Sequence, residues 1–287
     1  MKPGIRLVHS RQHPGPGQPS EELSCRVIQE DALTIDVEDV GTYTLMWTPT
    51  DPVDADGFVD GDRLIDDQGS GALALATGFV FTEGIIKGME DIHTMAFCDE
   101  IPGVVRMQLK SPEAVVTRRR NLVMTSSCGL CGSVEAVQNN TFDLSEVPDR
   151  MRLDARGFSK LMQEMLSQQA IFAETGGAHA AAIFSADGRI HAVAEDLGRH
   201  NALDKVIGAT LLSGDGFESK GALLSSRLSL EMVTKAVRAG LEIVAAVSAP
   251  TSLAIDVAER FGVTLCGFVR GQRSTVFSHP HRIDQVD

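Results

Sequence analysis

The chain has 287 residues, 43% hydrophobic and 23% charged, with 39 acidic against 26 basic side chains and a formal net charge of -13. That length supports a well-buried core and suggests two domains, while the charge excludes a general nucleic-acid binder, whose phosphates it would repel. No run of about 18 apolar residues could span a bilayer, so no membrane association is expected, and five cysteines with one close pair suit a reducing compartment, the cytoplasm, better than a disulfide framework.

Met1 to Ser20 lacks a secretory core, and its Pro and Gly content predicts a disordered leader. From Leu23 to Trp47 apolar residues alternate (Cys25-Val27, Leu33-Ile35-Val37, Tyr43-Leu45), which predicts short antiparallel strands. Asp51 to Gly71 carries seven aspartates by Asp67 and reads as an acidic insertion. Ala72 to Met89 reads as a helix interrupted at Gly78 and Gly84, and Val104 to Leu109 as a strand that Pro112 ends, with Ala114 to Val116 opening another. Phe158 to Glu174 has helical spacing throughout, which predicts one long amphipathic helix.

Beyond it the pattern alternates: strands at Ala180 to Phe184, Ile190 to Ala194, Gly221 to Leu224, Glu242 to Val247 and Val263 to Val269, with helices at Ala202 to Leu212, Leu230 to Ala239 and Leu253 to Phe261. Such βαβ units predict a largely parallel sheet covered on both faces. The expected class is therefore α/β: a leader over 1–20, a small β-rich N-terminal domain over 21–147, and a three-layer α/β domain over 148–287.

The stretch Thr125-Ser126-Ser127-Cys128-Gly129-Leu130-Cys131-Gly132 sets two thiols two residues apart on a glycine-rich backbone. A Cys-x-x-Cys serves as a redox couple, half of a metal site, or a nucleophilic thiolate with a companion thiol, and the spacing does not choose among them. Arg118-Arg119-Arg120 runs into this loop and would lower a thiolate pKa. Cys25, Cys98 and Cys266 sit in apolar surroundings and read as core.

Ligands of open α/β sheets bind beyond the carboxyl ends of the strands. Five loops with polar or glycine residues fall there: Thr175-Gly176-Gly177-Ala178-His179, Glu195-Asp196-Leu197-Gly198-Arg199-His200-Asn201, Ser225-Ser226-Arg227-Leu228-Ser229, Ser248-Ala249-Pro250-Thr251-Ser252 and Phe268-Val269-Arg270-Gly271-Gln272-Arg273. The glycine pair can turn backbone N–H groups toward an anion. Ser229, Thr251 and Ser252 are also natural helix N-caps. Arginines in three such loops repel one another unless an anion lies between them. His179 and His200 with Cys128 and Cys131 would make up a zinc ligand set, but the nucleobase deaminase signature, H-x-E before P-C-x-x-C, fails in order and lacks its glutamate, so no metal is expected.

In this order the motifs resemble the FdhD family of formate dehydrogenase accessory sulfurtransferases, over about Leu33 to His279. The resemblance rests on Gly78-Phe79 with Thr82-Glu83-Gly84-Ile85-Ile86, the cysteine loop, Thr175 to Ala181, Glu195 to Lys205, Val247 to Ala254 and Gly267 to Gly271. It implies a cytidine-deaminase-like topology for the C-terminal domain and, usually, a homodimer. It implies a sulfur carrier that takes sulfur from a cysteine desulfurase as a persulfide. The acceptor is the molybdenum or tungsten bis(molybdopterin guanine dinucleotide) cofactor, which then enters the formate dehydrogenase catalytic subunit; a guanine nucleotide would mimic it. Carried over by position, Cys128 bears the persulfide, Cys131 is its companion, and Phe268 to Arg273 is the cofactor-binding segment. Gly176, Gly177, His179, Arg199, His200, Asn201, Arg227 and Ser248 complete the expected pocket. Departures are the acidic insertion, Ser226 where glycine is common, and Thr275 where asparagine is usual. Two alternatives belong to other classes, a thiol-disulfide oxidoreductase and a cofactor-binding chaperone that transfers no sulfur.

Overall fold

The structure, a computed structural model, describes residues 2–50, 58–60, 63–64, 71–98, 101–115, 123–124 and 144–284. It begins with a hairpin of β1 (Ile5–Gln12) and β2 (Glu21–Ile28), paired antiparallel as a separate two-stranded sheet. The expected leader over 1–20 is thus overturned for 5–12. Most of its Pro and Gly lies at 14–19, in the connection between the strands, whereas Ile5 packs with Ile28 on Ile171 and Ala178.

Seven strands form the next sheet. β3 (Asp31–Val37) and β4 (Gly41–Trp47) make the expected hairpin, followed by β5 (Phe58–Asp60), β6 (Arg63–Leu64), β7 (Ile92–Phe97), β8 (Val104–Leu109) and β9 (Val123–Met124). Their order is β6-β5-β7-β8-β3-β4-β9. Leu33, Ile35, Val37, Val105 and Met107 alternate inward, as half-buried strands require.

Helix α1 (Gly71–Thr82) is apolar all round and buried from Ala72 to Thr82, the signature of a helix enclosed on every side. It stops at Thr82, short of the expected Met89, and Gly84 follows with φ +73°. Gly78 does not interrupt it. A Cβ at Gly78 would overlap the Asp204 carbonyl oxygen, and one at Gly208 the Ala74 carbonyl, so these glycines let α1 cross α4 (Arg199–Leu212) backbone against backbone. Thr82 Oγ1 donates to Asp204 Oδ1 at 2.7 Å, and Lys235 Nζ reaches the other Asp204 oxygen at 2.7 Å. Burial pushes the Asp204 carboxyl up, and Lys235 offsets part of that. Burial alone would lower Lys235, but the Asp204 and Glu83 carboxylates outweigh it and raise its pKa, so the ammonium stays charged.

The linker after 147 leads through β10 (Leu153–Asp154) to α2 (Gly157–Ser167) and α3 (Ala170–Thr175). The single helix expected over 158–174 is therefore two. The Glu195 carboxylate accepts the N–H groups of Ile171 and Phe172, each at 2.8 Å, and so captures a second helix start.

The remaining strands are β11 (His179–Ser185), β12 (Ile190–Asp196), β13 (Lys220–Leu224), β14 (Ile243–Ala246), β15 (Thr264–Arg270) and β16 (Arg273–Ser278), with β17 (Ile283–Asp284) beside β10. The six-stranded order is β12-β11-β13-β14-β15-β16. This sheet is mixed, not largely parallel. β13-β14 and β14-β15 are parallel, linked by α5 (Leu230–Arg238) and α6 (Ser252–Phe261), whereas β11-β12, β11-β13 and β15-β16 are antiparallel. Tight turns at Asp187-Gly188 and Gly271 make the two hairpins, too short for a parallel crossover.

Successive residues face opposite layers. Ala181, Ile183, Ala222, Leu224, Val244 and Leu265 join α4, α5 and α6, while Ala180, Ala182, Phe184, Leu223, Ile243 and Cys266 join α2. The first of these cores also takes in α1 and the seven-stranded sheet, so hydrophobic packing runs without a break across position 147–148. Among the described residues no helix is long and apolar enough to cross a membrane.

Candidate anion-binding site

β11 runs against β13, β14 and β15, so its first residue, His179, stands at their carboxyl ends beside the last residue of β12, Asp196. Backbone bonds lace this edge together. Ser225 N–H donates to Ala180 O at 3.0 Å, Leu228 N–H to Ala249 O at 3.1 Å, Thr251 N–H to Leu228 O at 2.9 Å and Phe268 N–H to Ser248 O at 3.1 Å. Ser225 Oγ in turn accepts Ala180 N–H at 2.8 Å. The expected loops around His179, Arg199, Arg227, Ser248 and Phe268 thus share one rim.

The cationic cluster is built on α4 and the loop before α5. Arg199 is half-buried and its Nε has no hydrogen-bond partner among the described residues. Burial lowers its pKa first, Glu231 raises it, and the Arg227 guanidinium lowers it further, which places both arginines and one carboxylate within electrostatic reach. His200 Nε2 lies 3.0 Å from Glu231 Oε2. Burial also depresses the His179 pKa, with Arg199 and His200 adding to the effect and Asp196 opposing it, so His179 is neutral at pH 7. Ser229 sits at the N-cap of α5 with its Oγ buried and without a partner among the described residues, whereas Thr251 caps α6 through Ala254 N–H at 3.4 Å.

At the next strand Phe268 adopts φ +54°, a left-handed conformation that costs a non-glycine residue about 1–3 kcal/mol. The register shifts between Gly267 and Arg270, and this bulge leaves the Phe268 ring 47% exposed. Arg270 pairs with Arg273 across the hairpin turn at Gly271, and Gly271, Gln272 and both arginines are exposed, while Val269 is buried in the core.

Three expected residues have other duties. Gly176 N–H donates to Phe172 O at 2.7 Å as the left-handed end of α3, and Gly177 N–H donates to Thr175 Oγ1 at 3.1 Å, so neither amide is left for an anion. The Asn201 amide donates to Met46 O at 2.7 Å and Asp196 Oδ1 at 2.9 Å. Asp196 also accepts Thr48 N–H at 3.0 Å and Gly198 N–H at 2.8 Å and pairs with Lys205 at 2.8 Å. Lys205 donates to Thr48 O and lies 4.9 Å from the Trp47 ring centroid. These residues clamp the end of β4 onto α4. Of Glu195 to Lys205, only Arg199 and His200 join the cationic rim.

Glu231 escaped the sequence reading. Its signal was faint, an acid four residues after Arg227 in the first turn of a helix. Cys128, Cys131 and the Arg118 to Arg120 run lie outside the described residues. β9, which follows the arginine run and precedes the cysteines in the sequence, runs parallel to β4 with Met124 beside Leu45. Among the described residues no group of three or more metal-ligating side chains is present.

The FdhD/NarQ family profile matches residues 67–284 of this chain. Two relatives, each named Sulfur carrier protein FdhD, are similar over most of it. The protein of Thermoplasma acidophilum is 41% identical over 212 residues, 73% of this chain and 74% of its own. That of Bordetella bronchiseptica is 37% identical over 263 residues, 91% of this chain and 88% of its own. A crystal structure from Desulfotalea psychrophila, provisionally assigned as a formate dehydrogenase accessory protein, aligns with a TM-score of 0.73 at 24% identity, covering 98% of this chain and 100% of its own. That last likeness speaks to the fold alone.

Proposed function

We propose that this chain, which belongs to the FdhD/NarQ family, is a sulfur carrier of formate dehydrogenase maturation. The Cys128 thiolate attacks the outer sulfur of a cysteine desulfurase persulfide. The donor S–S bond breaks, the desulfurase thiolate leaves, and Cys128 becomes the persulfide. Cys131 then attacks the inner sulfur, forms a disulfide with Cys128 and releases the outer sulfur as hydrosulfide. The two electrons come from the thiol pair, so the sulfur leaves at the oxidation level of a metal–sulfide ligand. A cellular dithiol resets the cysteines in the reducing cytoplasm.

The acceptor is the molybdenum or tungsten bis(molybdopterin guanine dinucleotide), bound as substrate before it passes to the formate dehydrogenase catalytic subunit. The observation that carries this half is the rim: Arg199, whose buried Nε has no hydrogen-bond partner among the described residues, beside Arg227, His179 and His200. A pyrophosphate supplies the acceptors such a cluster lacks. Arg270 and Arg273 extend the positive surface to the tip of the β15–β16 hairpin, and the exposed Phe268 ring offers a face for a purine. The order β12-β11-β13-β14-β15, with β11 antiparallel to its neighbours, supports a deaminase-like topology that has given up the zinc ligands.

Intact-mass spectrometry after incubation with a cysteine desulfurase and L-cysteine tests the carrier half. A reducible gain of one sulfur, lost in Cys128→Ala and retained in Cys131→Ala, is expected. No gain in any form, with guanosine diphosphate still bound, would leave a cofactor chaperone instead.

A further inference from the structure

Two ionic rungs, one helical turn apart, join α4 to α5. His200 and Asp204 are four residues apart on α4, and Glu231 and Lys235 are four apart on α5, so each helix offers both of its groups on one face. In the inner rung Lys235 Nζ lies 2.7 Å from Asp204 Oδ2, with Thr82 Oγ1 at 2.8 Å and Glu83 Oε1 at 3.3 Å. In the outer rung His200 Nε2 lies 3.0 Å from Glu231 Oε2, and the two side chains are 17% and 18% exposed. The inner rung anchors both helices at the end of α1, and the outer one stands at the cationic rim.

Arg199 directly precedes His200 at the start of α4, and Arg227 stands four residues before Glu231. Arg227 acts on Arg199 as a like charge and Glu231 as an opposite one. Arg199 is half-buried and its Nε has no hydrogen-bond partner among the described residues, so no bond to that nitrogen holds the side chain in place. Turned out to solvent, its guanidinium would escape both Arg227 and the cost of burial. Glu231 opposes that escape. Tied to His200, on a helix that Lys235 ties to α4, its carboxylate is a stationary negative charge.

We propose that Glu231 is a positioning residue of the anion site: its carboxylate keeps Arg199 turned inward beside Arg227, so that an arriving pyrophosphate meets two guanidinium groups already gathered. The role rests on the reading of the rim as the site for the cofactor's phosphates. Two effects of the carboxylate oppose each other. It repels a bound phosphate, which at a partly solvated rim weakens binding by about tenfold or less. It also preorganises Arg199, and a guanidinium absent from the site forfeits a charge-assisted bond, roughly 10- to 100-fold in affinity. Preorganisation is the larger effect. The sign therefore identifies the role: neutralising a bystander carboxylate tightens anion binding, whereas neutralising a positioning carboxylate weakens it.

Calorimetry of guanosine diphosphate binding to the full chain tests the role, and it does not depend on the sulfur chemistry. Glu231→Gln keeps an oxygen that can accept from His200 but removes the charge, and should weaken binding about tenfold. Glu231→Asp keeps the charge and should bind more tightly than Glu231→Gln. In the Arg199→Ala background Glu231→Gln should weaken binding no further, because the residue it positions is gone. Binding by Glu231→Gln as tight as wild type or tighter, the same loss with and without Arg199, or Glu231→Asp no better than Glu231→Gln would each overturn the proposal. Arg199→Ala binding as wild type does is a separate result: it would overturn the anion-site reading itself, and the positioning role with it.

Discussion

At the amino ends of β13, β14 and β15, Glu242 is 0% exposed and Arg282 is 2% exposed. Glu242 Oε2 accepts the N–H groups of Arg150 and Met151 at 2.6 and 2.7 Å, and Arg282 donates to Gly262 O, Pro148 O and Thr264 Oγ1 at 2.7–3.1 Å. At the carboxyl ends of the same strands, Arg227, Arg270 and Arg273 are exposed and Arg199 Nε has no partner among the described residues. One edge uses charge to bind the linker over 147–151 to the sheet, with protein groups as partners. The other collects like charges, which raises the energy of the free protein and lowers that of a complex with an anion. Position on the sheet, rather than residue type, separates the arginine held by protein groups from the arginines gathered at the carboxyl rim.

The comparison breaks first on stability. Arg282→Ala leaves Glu242 buried without its cation and three acceptors without their donor, and is expected to cost about 3–5 kcal/mol. Urea denaturation measures it; a loss near zero would mean that the amino edge is as dispensable as a surface. Arg199→Ala is expected to move the other way: stability within about 0.5 kcal/mol of the parent, since no hydrogen bond to Nε is lost, but affinity for guanosine diphosphate down roughly 10- to 100-fold, the worth of one charge-assisted bond. Calorimetry decides it. Unchanged affinity in Arg199→Ala would remove this residue from the anion site.

Sequence pattern conveyed the framework well. The inward alternation of Leu33, Ile35 and Val37 and the helical spacing after Ser225 placed most elements close to their observed bounds. It failed where partners are remote. Asn201 read as a ligand residue because it lies beside Arg199, yet its amide donates to Met46 O, 155 residues away and invisible to local spacing. Gly78 read as a break because nothing nearby announces the Asp204 carbonyl it must clear. The glycines at 176 and 177 read as an anion turn, but a helix end and a threonine side chain had already claimed their amides. β16 went unread because its charged start, Arg273, belongs to the motif taken as a binding loop.

The smallest expected effect sharpens the contrast, because it asks whether the rim feels an anion through a proton. Burial and then Arg199 hold the His179 pKa below its ordinary value of 6.5. In the absence of ligand the folded state binds fewer protons than the unfolded state just below that value. Stability is therefore full above about pH 6.5 and falls as pH drops from there toward the depressed folded value. A phosphate among Arg199, Arg227 and His179 replaces repulsion with attraction and raises that pKa, so binding takes up a proton. Affinity for guanosine diphosphate should then strengthen as pH falls from about 7.5 to about 6, by at most about tenfold per unit for a single proton. The nucleotide's own phosphate titrates in the same range, so the reading is the difference between wild type and His179→Gln, in which the histidine contribution is gone. Parallel profiles for the two proteins would show that the anion sits out of reach of His179, with Arg270 and Arg273 rather than Arg199 at the centre of the site.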